Sequence, residues 1–323
     1  MKALFHLRVS DIARISGEPI PESDLVITRA STLQNIHENS ILFVKKWTEN
    51  NISAIKSAQN CLVLVPEDTS FMLPDSIKLS NVIAYVANPR LSYAKVMNAV
   101  VETISIERQY ITRNGAFIAD NALIGDGTVI EPGVLIDHSV VIGSSVRIHA
   151  GAVIRSFSEI GDNAIIREYA VIGSEGFGFE RDRNGTPVRL PHLGGVRIGR
   201  NVEIGVSTTV CAGTIEPTII EDDVKMGNLV HIAHNCVVGK GTLITSCVEL
   251  SGSVKVGQFC WIGPNVSVIE SKQIGERATI GIGAVVIKDV EPGTVVAGNP
   301  GRLTSEIRRI NRAIERVTAD RNE

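Results

Sequence analysis

Aromatic residues are scarce in this sequence. They make up 4% of its 323 residues, whereas hydrophobic residues as a whole make up 44%. The chain is long enough to bury a large core, and that core has to be built from Ile, Val, Leu and Ala. Such a composition favours strands packed side by side over an aromatic-rich globule.

Other shortages exclude further classes of protein. The net charge is −3 and Lys and Arg do not cluster along an extended face, which argues against a nucleic-acid partner. The five cysteines show neither C-x-x-C spacing nor a paired framework, so they read as small buried hydrophobes in a reduced compartment. No apolar run approaches the ~20 residues of a membrane span, and charges rather than an apolar leader follow the first residues. We therefore expect a cytoplasmic protein.

A six-residue repeat is the strongest signal that is present. Isoleucine occupies every sixth position from Ile118 to Ile172, and aliphatic residues resume the rhythm at Ile198 and again from Ile220 to Val286. This period fits neither an α-helix nor a plain alternating strand, but it fits a short strand, a turn of about 120° and a repeat. Three steps then close a coil of 18 residues, and residues 18 apart stack about 4.8 Å from each other. The repeat predicts a parallel β-helix of about eight coils.

The rest of the chain departs from this rhythm. Residues 1–105 mix helical stretches at 10–15 and 92–101 with aliphatic strands at 61–65 and 82–86, which predicts a small α/β domain. The β-helix is expected over 106–303, and 304–323 should form a C-terminal helix with one apolar stripe.

An interruption lies between Ile172 and Ile198 and is rich in glycine and charge, with Phe177 and Phe179 in it. Loops that leave a rigid solenoid often carry recognition. A tolerated surface excursion is the alternative.

His234 is the main catalytic candidate. It stands two residues after the inward Ile232, so it should lie outside the core near a corner, where packing gives no reason for a histidine. Its ordinary pKa of about 6.5 lets it accept a proton near neutral pH. Gly252 follows 18 residues later and should stack one coil away, where its backbone N–H could approach a developing oxyanion.

Two other interpretations of the repeat stay open. A zinc site of three histidines is one, but besides His231 and His234 the remaining histidines are not at convincing stacked positions, so we expect no metal. A solenoid scaffold without chemistry is the other, and the pairing of His234 with Gly252 argues against it.

Several motifs in one order resemble the UDP-3-O-acylglucosamine N-acyltransferase family of the lipid A pathway over nearly the whole chain. They are Asn88-Pro89 with Ser92-Tyr93-Ala94, the run 176–179 (GFGF), Pro191 through Gly194, and the run 228–235 (NLVHIAHN). The resemblance implies a left-handed β-helix with His234 as general base and Gly252 as oxyanion donor. It also implies a homotrimer that binds a nucleotide sugar between subunits, with the N-terminal domain contacting uridine.

Further site residues follow from this interpretation. Asn235 is expected to orient the imidazole as a polar partner. The residues expected to bind the nucleotide-linked amino sugar are Phe43, Trp47, Phe177, Gly178, His192, Asn228 and His231. The residues expected to bind the donor are Gly283, Lys288 and Arg302.

Departures from the family pattern shape the predicted activity. The residue before the run 228–235 is Gly227 instead of Asp, Ser271-Lys272 replaces a Gly-His pair, and residues 45–48 replace an Asn-Pro-Lys-Tyr run. The stretch 283–303 resembles acetyl-CoA-dependent sugar acetyltransferases. We therefore expect an N-acetyltransferase that uses acetyl-CoA on a nucleotide-linked amino sugar of a surface polysaccharide. The alternative is the lipid A enzyme itself, which takes a 3-hydroxyacyl chain from acyl carrier protein.

Overall fold

The computed structural model describes residues 5–46, 48–69, 73–103, 109–298, 309–312 and 314. Its N-terminal part contains helices α1 (Val9–Ser16), α2 (Glu49–Ile55), α3 (Asp75–Ser80) and α4 (Pro89–Thr103), with a short 3-10 turn at Glu67–Thr69. Four parallel strands form one sheet in the order Arg29–Ala30, Ser40–Phe43, Leu62–Pro66 and Val82–Val86. Leu7–Arg8 pairs with Val26–Ile27 in a separate antiparallel ribbon. The helices and strands predicted in this region are present.

From Ala116 onward the chain winds through three parallel sheets, which we call the first, second and third faces. The first face consists of Ala116–Ala119, Leu135–Ile136, Val153–Ile154, Val171–Ser174, Thr209–Cys211, His231–Ile232, Glu249–Leu250, Ser267–Val268 and Val285–Val286, with Tyr110–Arg113 added antiparallel at its end. The second face consists of Leu123–Ile124, Val141–Ile142, Ser158–Ile160, Val196–Ile198, Thr218–Ile220, Val237–Val238, Lys255–Val256 and Gln273–Ile274. The third face consists of Val129–Ile130, Arg147–Ile148, Ile165–Ile166, Glu203–Ile204, Lys225–Met226, Leu243–Ile244, Trp261–Ile262, Thr279–Ile280 and Val295–Val296.

The inward isoleucines form the core of this β-helix. Ile136 pairs with Ile154, which lies 18 residues later, and both side chains are fully buried. A second inward position precedes each isoleucine by two residues, as at Val134. Ile124 and Ile130 in the first coil are only partly buried, because no earlier coil covers their strands on the second and third faces. The predicted stack is therefore present and weakens at its N-terminal end.

Left-handed backbone conformations make the turns between faces. The residue three positions after an inward residue often has a positive φ, as at Ser145 (57°), Asn163 (58°) and Asn235 (60°). Short polar side chains tolerate this conformation better than branched ones. The turn chemistry therefore explains the Ser, Asn and Gly residues of the repeat.

The interruption after Ile172 forms an antiparallel hairpin of Phe179–Arg181 and Pro187–Arg189. The hairpin packs on α4, and Asn98 Nδ2 donates to the carbonyl of Arg189 at 2.7 Å. Leu190 and Ile215 join the N-terminal hydrophobic cluster. These contacts bring the N-terminal domain to the side of the β-helix from which the hairpin projects.

Candidate active site

His234 lies on one edge of the β-helix, which we call the His234 corner. It is the line of residues two positions after the inward residues of the first face, and toward the C terminus it runs through Gly252, Glu270 and Lys288. Each step along the line is one coil, or about 4.8 Å. The corner therefore presents a histidine, a glycine, a glutamate and a lysine in that order.

Gly252 lies directly against the imidazole of His234. A Cβ atom built on this glycine would fall 2.6 Å from Cε1 and 2.9 Å from Nε2 of His234. Only glycine leaves that space empty, so its backbone can closely approach the ring. Among the described residues the Gly252 N–H makes no hydrogen bond, while its carbonyl accepts from Ser271. A donor is thus available beside the histidine.

Asn235 holds the other side of the imidazole. Its Oδ1 accepts from the Thr214 N–H at 2.8 Å, and its Nδ2 lies 3.0 Å from His234 Nδ1. The Thr214 donor fixes the orientation of the amide, so Nδ2 must donate to Nδ1. The neutral ring then carries its proton on Nε2.

Burial and charge set the protonation of His234. Desolvation lowers its pKa below 6.5 and the Arg90 guanidinium lowers it further, while Glu270 and the carbonyl of Phe177 raise it. The net direction is downward, so the imidazole is neutral at pH 7. A neutral imidazole is the form that can accept a proton.

A second imidazole, His192, packs against the first. The ring centroids of His192 and His234 are 5.0 Å apart. Gly176 lies against both rings, and Gly178 lies against His192, where a Cβ on Gly178 would fall 2.7 Å from Cε1. We call residues 176–178 the strap. Its central residue, Phe177, is 89% exposed.

Charged groups from other segments surround this pair. Arg90, at the start of α4, forms an ion pair with Glu180 of the hairpin. The pKa of Lys45 is lowered, mainly by desolvation and further by the charge of Arg90, while the charges of Glu180 and Glu270 raise it. The sequence analysis missed these residues. Only Glu270 could have been found from the repeat, because it lies 36 residues, or two coils, after His234.

Phe43 lies in the N-terminal domain and lines a cavity of about 480 Å³ together with Gln34, Lys45 and Asn51. Its ring packs on Tyr93 with the centroids 5.0 Å apart. Trp47, expected in the same pocket, lies outside the described residues. The cavity combines an aromatic edge, amides and lysines, which suits a nucleotide.

Other expected site residues do not join the His234 group within one chain. Asn228 comes after a strand of the third face, Lys225–Met226, and not after a strand of the first face. Its Oδ1 accepts a hydrogen bond from the Val206 N–H at 2.9 Å, which stabilises a turn. His231 points outward from the first face between Thr209 and Glu249. Gly283 also follows the third face, with φ of 65°.

The donor-site expectations divide in a similar way. Lys288 does lie on the His234 corner, three coils from the histidine and exposed. Arg302 and most of the expected C-terminal helix lie outside the described residues. The described residues of that segment, 309–312 and 314, are helical. Within those described parts, no three His, Cys, Asp or Glu side chains converge as a metal site would need, and no helix is both long and apolar enough to cross a bilayer.

Comparisons with known proteins agree with this architecture. Residues 139–174 match the bacterial transferase hexapeptide (six repeats) family. The solved UDP-N-acetylglucosamine acyltransferase of Francisella novicida superposes with a TM-score of 0.54 at 27% identity, over 62% of this chain and 73% of that one. That of Campylobacter jejuni gives 0.53 at 25% identity, over 63% and 82%. The predicted fold class, mainly β with a left-handed parallel β-helix, is confirmed.

Curated relatives carry the name suggested by the motifs. The UDP-3-O-acylglucosamine N-acyltransferase of Delftia acidovorans is 41% identical over 128 residues, which cover 40% of this chain and 38% of that relative. Its namesake in Hahella chejuensis is 40% identical over 140 residues, 43% of this chain and 40% of that protein. The resemblance to this family is confirmed, although the chain spans only about two fifths of the length of these relatives.

The predicted main activity is wrong. An N-acetyltransferase for surface polysaccharide does not agree with relatives that are named UDP-3-O-acylglucosamine N-acyltransferases. Residues 283–303 resemble acetyl-CoA users, but the candidate base His234 belongs to the run 228–235, whose last residues lie at the His234 corner. The alternative stated beside it is the better supported.

Proposed function

We propose that this protein transfers an acyl group from a thioester to the amine of a UDP-linked 3-O-acylglucosamine, in lipid A biosynthesis. The observation that carries the proposal is the contact between Gly252 and His234, which belongs to the run 228–235. A neutral imidazole and an uncommitted backbone N–H are the two groups that aminolysis of a thioester requires.

The reaction follows from these two groups. The amine nitrogen attacks the thioester carbonyl carbon, and His234 takes the proton that the nitrogen must lose. The negative charge that develops on the carbonyl oxygen is stabilised by the Gly252 N–H. When the tetrahedral intermediate collapses, the C–S bond breaks and the imidazolium returns its proton to the thiolate. The products are an amide and a free thiol.

The cavity beside Phe43 supports a nucleotide-linked acceptor. Phe43 offers a ring edge to a nucleobase, Gln34 and Asn51 offer amides for its polar edge, and Lys45 and Lys46 offer charge for a diphosphate. Lys45 also feels the charge of Glu270 on the His234 corner. The nucleotide would therefore lie with its sugar toward His234.

The surface beyond Gly252 supports a donor with a long acyl chain. Ile269 and Ile287 directly precede Glu270 and Lys288 on neighbouring coils, and they are 47% and 61% exposed. The equivalent positions near His234 are the small residues Ala233 and Ser251. Burying each methylene of an acyl chain against such a strip contributes about 0.8 kcal/mol. An acetyl group would leave the strip uncovered, so we infer a 3-hydroxyacyl chain delivered by acyl carrier protein.

An assay with two donors tests this function. UDP-3-O-acylglucosamine is offered either a 3-hydroxyacyl carrier protein or acetyl-CoA, and thiol release is measured alongside amide formation. We expect kcat/KM to be at least tenfold higher with the carrier protein. His234→Ala should lower the rate by about 10²–10⁴-fold while leaving the fold intact. Equal use of acetyl-CoA, or near-normal turnover by a folded His234→Ala protein, would contradict the proposal.

A further inference from the structure

His192 is a buried imidazole whose polar atoms are not matched by the protein. Its side chain is 6% exposed, and neither ring nitrogen makes a hydrogen bond of normal geometry with any described residue. The carbonyl of Leu190 lies near enough to favour the protonated ring slightly. Buried polar groups in native proteins nearly always have partners, so an unmatched pair of nitrogens needs an explanation.

Protonation does not supply that explanation. The pKa of His192 is lowered to about 4, chiefly by burial, with further contributions in the same direction from His234, Arg189 and Arg90. The ring is therefore neutral across the physiological range and offers one N–H donor and one nitrogen acceptor. A neutral ring can donate to an uncharged oxygen of a ligand, because the ring itself brings no charge that needs a counter-charge.

The position of His192 identifies which oxygen it can reach. Its ring centroid is 5.0 Å from that of His234, which binds the reacting amine under the proposed function. On a sugar ring, the oxygen borne by the neighbouring carbon lies about one hydrogen-bond length from the amine nitrogen. Two imidazoles at this separation can therefore hold the amine and that oxygen at the same time.

The strap explains how the acceptor gains access. A Cβ on Gly176 would fall 3.0 Å from His192 Nε2 and 2.9 Å from His234 Cδ2, so this glycine covers both rings. Within the described residues, the strap accepts a backbone hydrogen bond from the Leu190 N–H at the Gly178 carbonyl. Displacement of Gly176 would uncover the side of His192 that faces His234, while Gly178 stays against Cε1 of His192.

We propose that His192 is a specificity-determining residue whose ring N–H donates to the oxygen on carbon 3 of the acceptor, next to the reacting amine. The assignment rests on the proposed function, because it takes the amine at His234 as its reference point. It gives the unmatched imidazole a partner of defined chemistry, the 3-oxygen of a 2-amino sugar.

A double comparison tests the assignment. kcat/KM is measured at saturating donor with UDP-glucosamine and with UDP-3-deoxyglucosamine, which differ only in that oxygen, for the wild type, His192→Gln and His192→Leu. We expect the wild type to prefer the 3-oxygenated acceptor by about 10-fold or more. His192→Gln, which keeps a neutral donor, should retain the preference, and His192→Leu should lose it. The effect should appear in KM for the acceptor, with the KM of the donor unchanged.

The outcomes separate the two proposals. Equal discrimination by the wild type and a folded His192→Leu protein would overturn the role of His192 and leave the function standing. A wild-type protein that transfers no acyl group to UDP-3-O-acylglucosamine would overturn the function, and with it the ligand assigned to His192. If the Leu variant fails to fold, His192→Met takes its place, because it also lacks a donor; retained preference in a folded His192→Met protein would overturn the role of His192.

Discussion

At the scale of the residue, His234 is neutral and its Nδ1 accepts a hydrogen bond from the Asn235 amide. A base must present an unprotonated nitrogen to the amine. Under the proposed function, acceptor binding must therefore displace the Asn235 amide from Nδ1, or the ring must exchange its tautomer so that Nε2 becomes the free nitrogen.

The pH dependence of the reaction follows from the lowered pKa of His234. Only the neutral ring is a base, so kcat/KM falls as the pH drops through this pKa. Because burial and Arg90 move the pKa down, the acidic limb should lie below 6.5. A profile of kcat/KM between about pH 4.5 and 8.5, two units on either side of 6.5, measures the position of the acidic limb. An acidic midpoint above 7 would contradict the burial argument.

Replacing Asn235 by Asp should move that limb upward. The carboxylate still accepts from the Thr214 N–H, but it also accepts from Nδ1–H of His234, which stabilises the imidazolium and raises its pKa. The expected result is an acidic midpoint at least about one unit higher than in the wild type. Asn235→Leu serves as the control, because it removes the partner without adding charge. An unmoved midpoint in Asn235→Asp would remove Asn235 from the group that orients the base.

At the scale of the element, the corner works because one glycine is aligned with one histidine. Gly252→Ala introduces a Cβ that would lie 2.6 Å from His234 Cε1, so the imidazole must move. We expect kcat to fall about 10²–10³-fold, as when an oxyanion donor is lost. Gly281→Ala is a matched control in the same β-helix, since its Cβ would meet nothing closer than 3.3 Å. Similar activity in both variants would separate Gly252 from the chemistry.

This alignment was accessible to sequence reasoning, and other parts of the site were not. The spacing of 18 places Gly252 beside His234, and the structure has the two in contact. Arg90 reaches the site through the packing of α4 on the hairpin, and Lys45 reaches it because it follows the strand Ser40–Phe43, which packs on α4. No repeat encodes these contacts between segments. Asn228 lies at a different corner, because the run 228–235 spans two corners and only its last residues belong to that of His234.

At the scale of the whole molecule, stability depends on how many coils cover a given residue. Ile232 is fully buried in the middle of the stack, whereas Ile124 in the first coil is partly buried. Ile232→Ala should lower the free energy of unfolding by about 2–5 kcal/mol, and Ile124→Ala by distinctly less. Thermal unfolding of the two variants provides the comparison. An equal loss in both would mean that the N-terminal coil is covered by something other than the chain itself.

We also expect the molecule to assemble as a homotrimer, the state implied by the family resemblance. Light scattering should then give a mass three times that of the 34.7 kDa chain. A stable and active monomer would show that one chain holds a complete site.

The regular rise of the coils has a consequence for how such a protein can change over generations. Distances along the His234 corner come in steps of about 4.8 Å, and Lys288 stands three steps from the histidine. Insertion or deletion of a few residues within a strand would turn inward isoleucines outward, so the length of the donor site can only change by whole coils. Insertions survive where the chain leaves the stack, as at the hairpin 179–189, where the second face keeps its pairing and the first face carries one register shift between Ile172 and Ser174. Under the proposed function, a lineage can therefore remodel its acceptor side gradually, through loops, while its donor side changes by whole coils or by the exchange of single side chains such as Ile269 and Ile287.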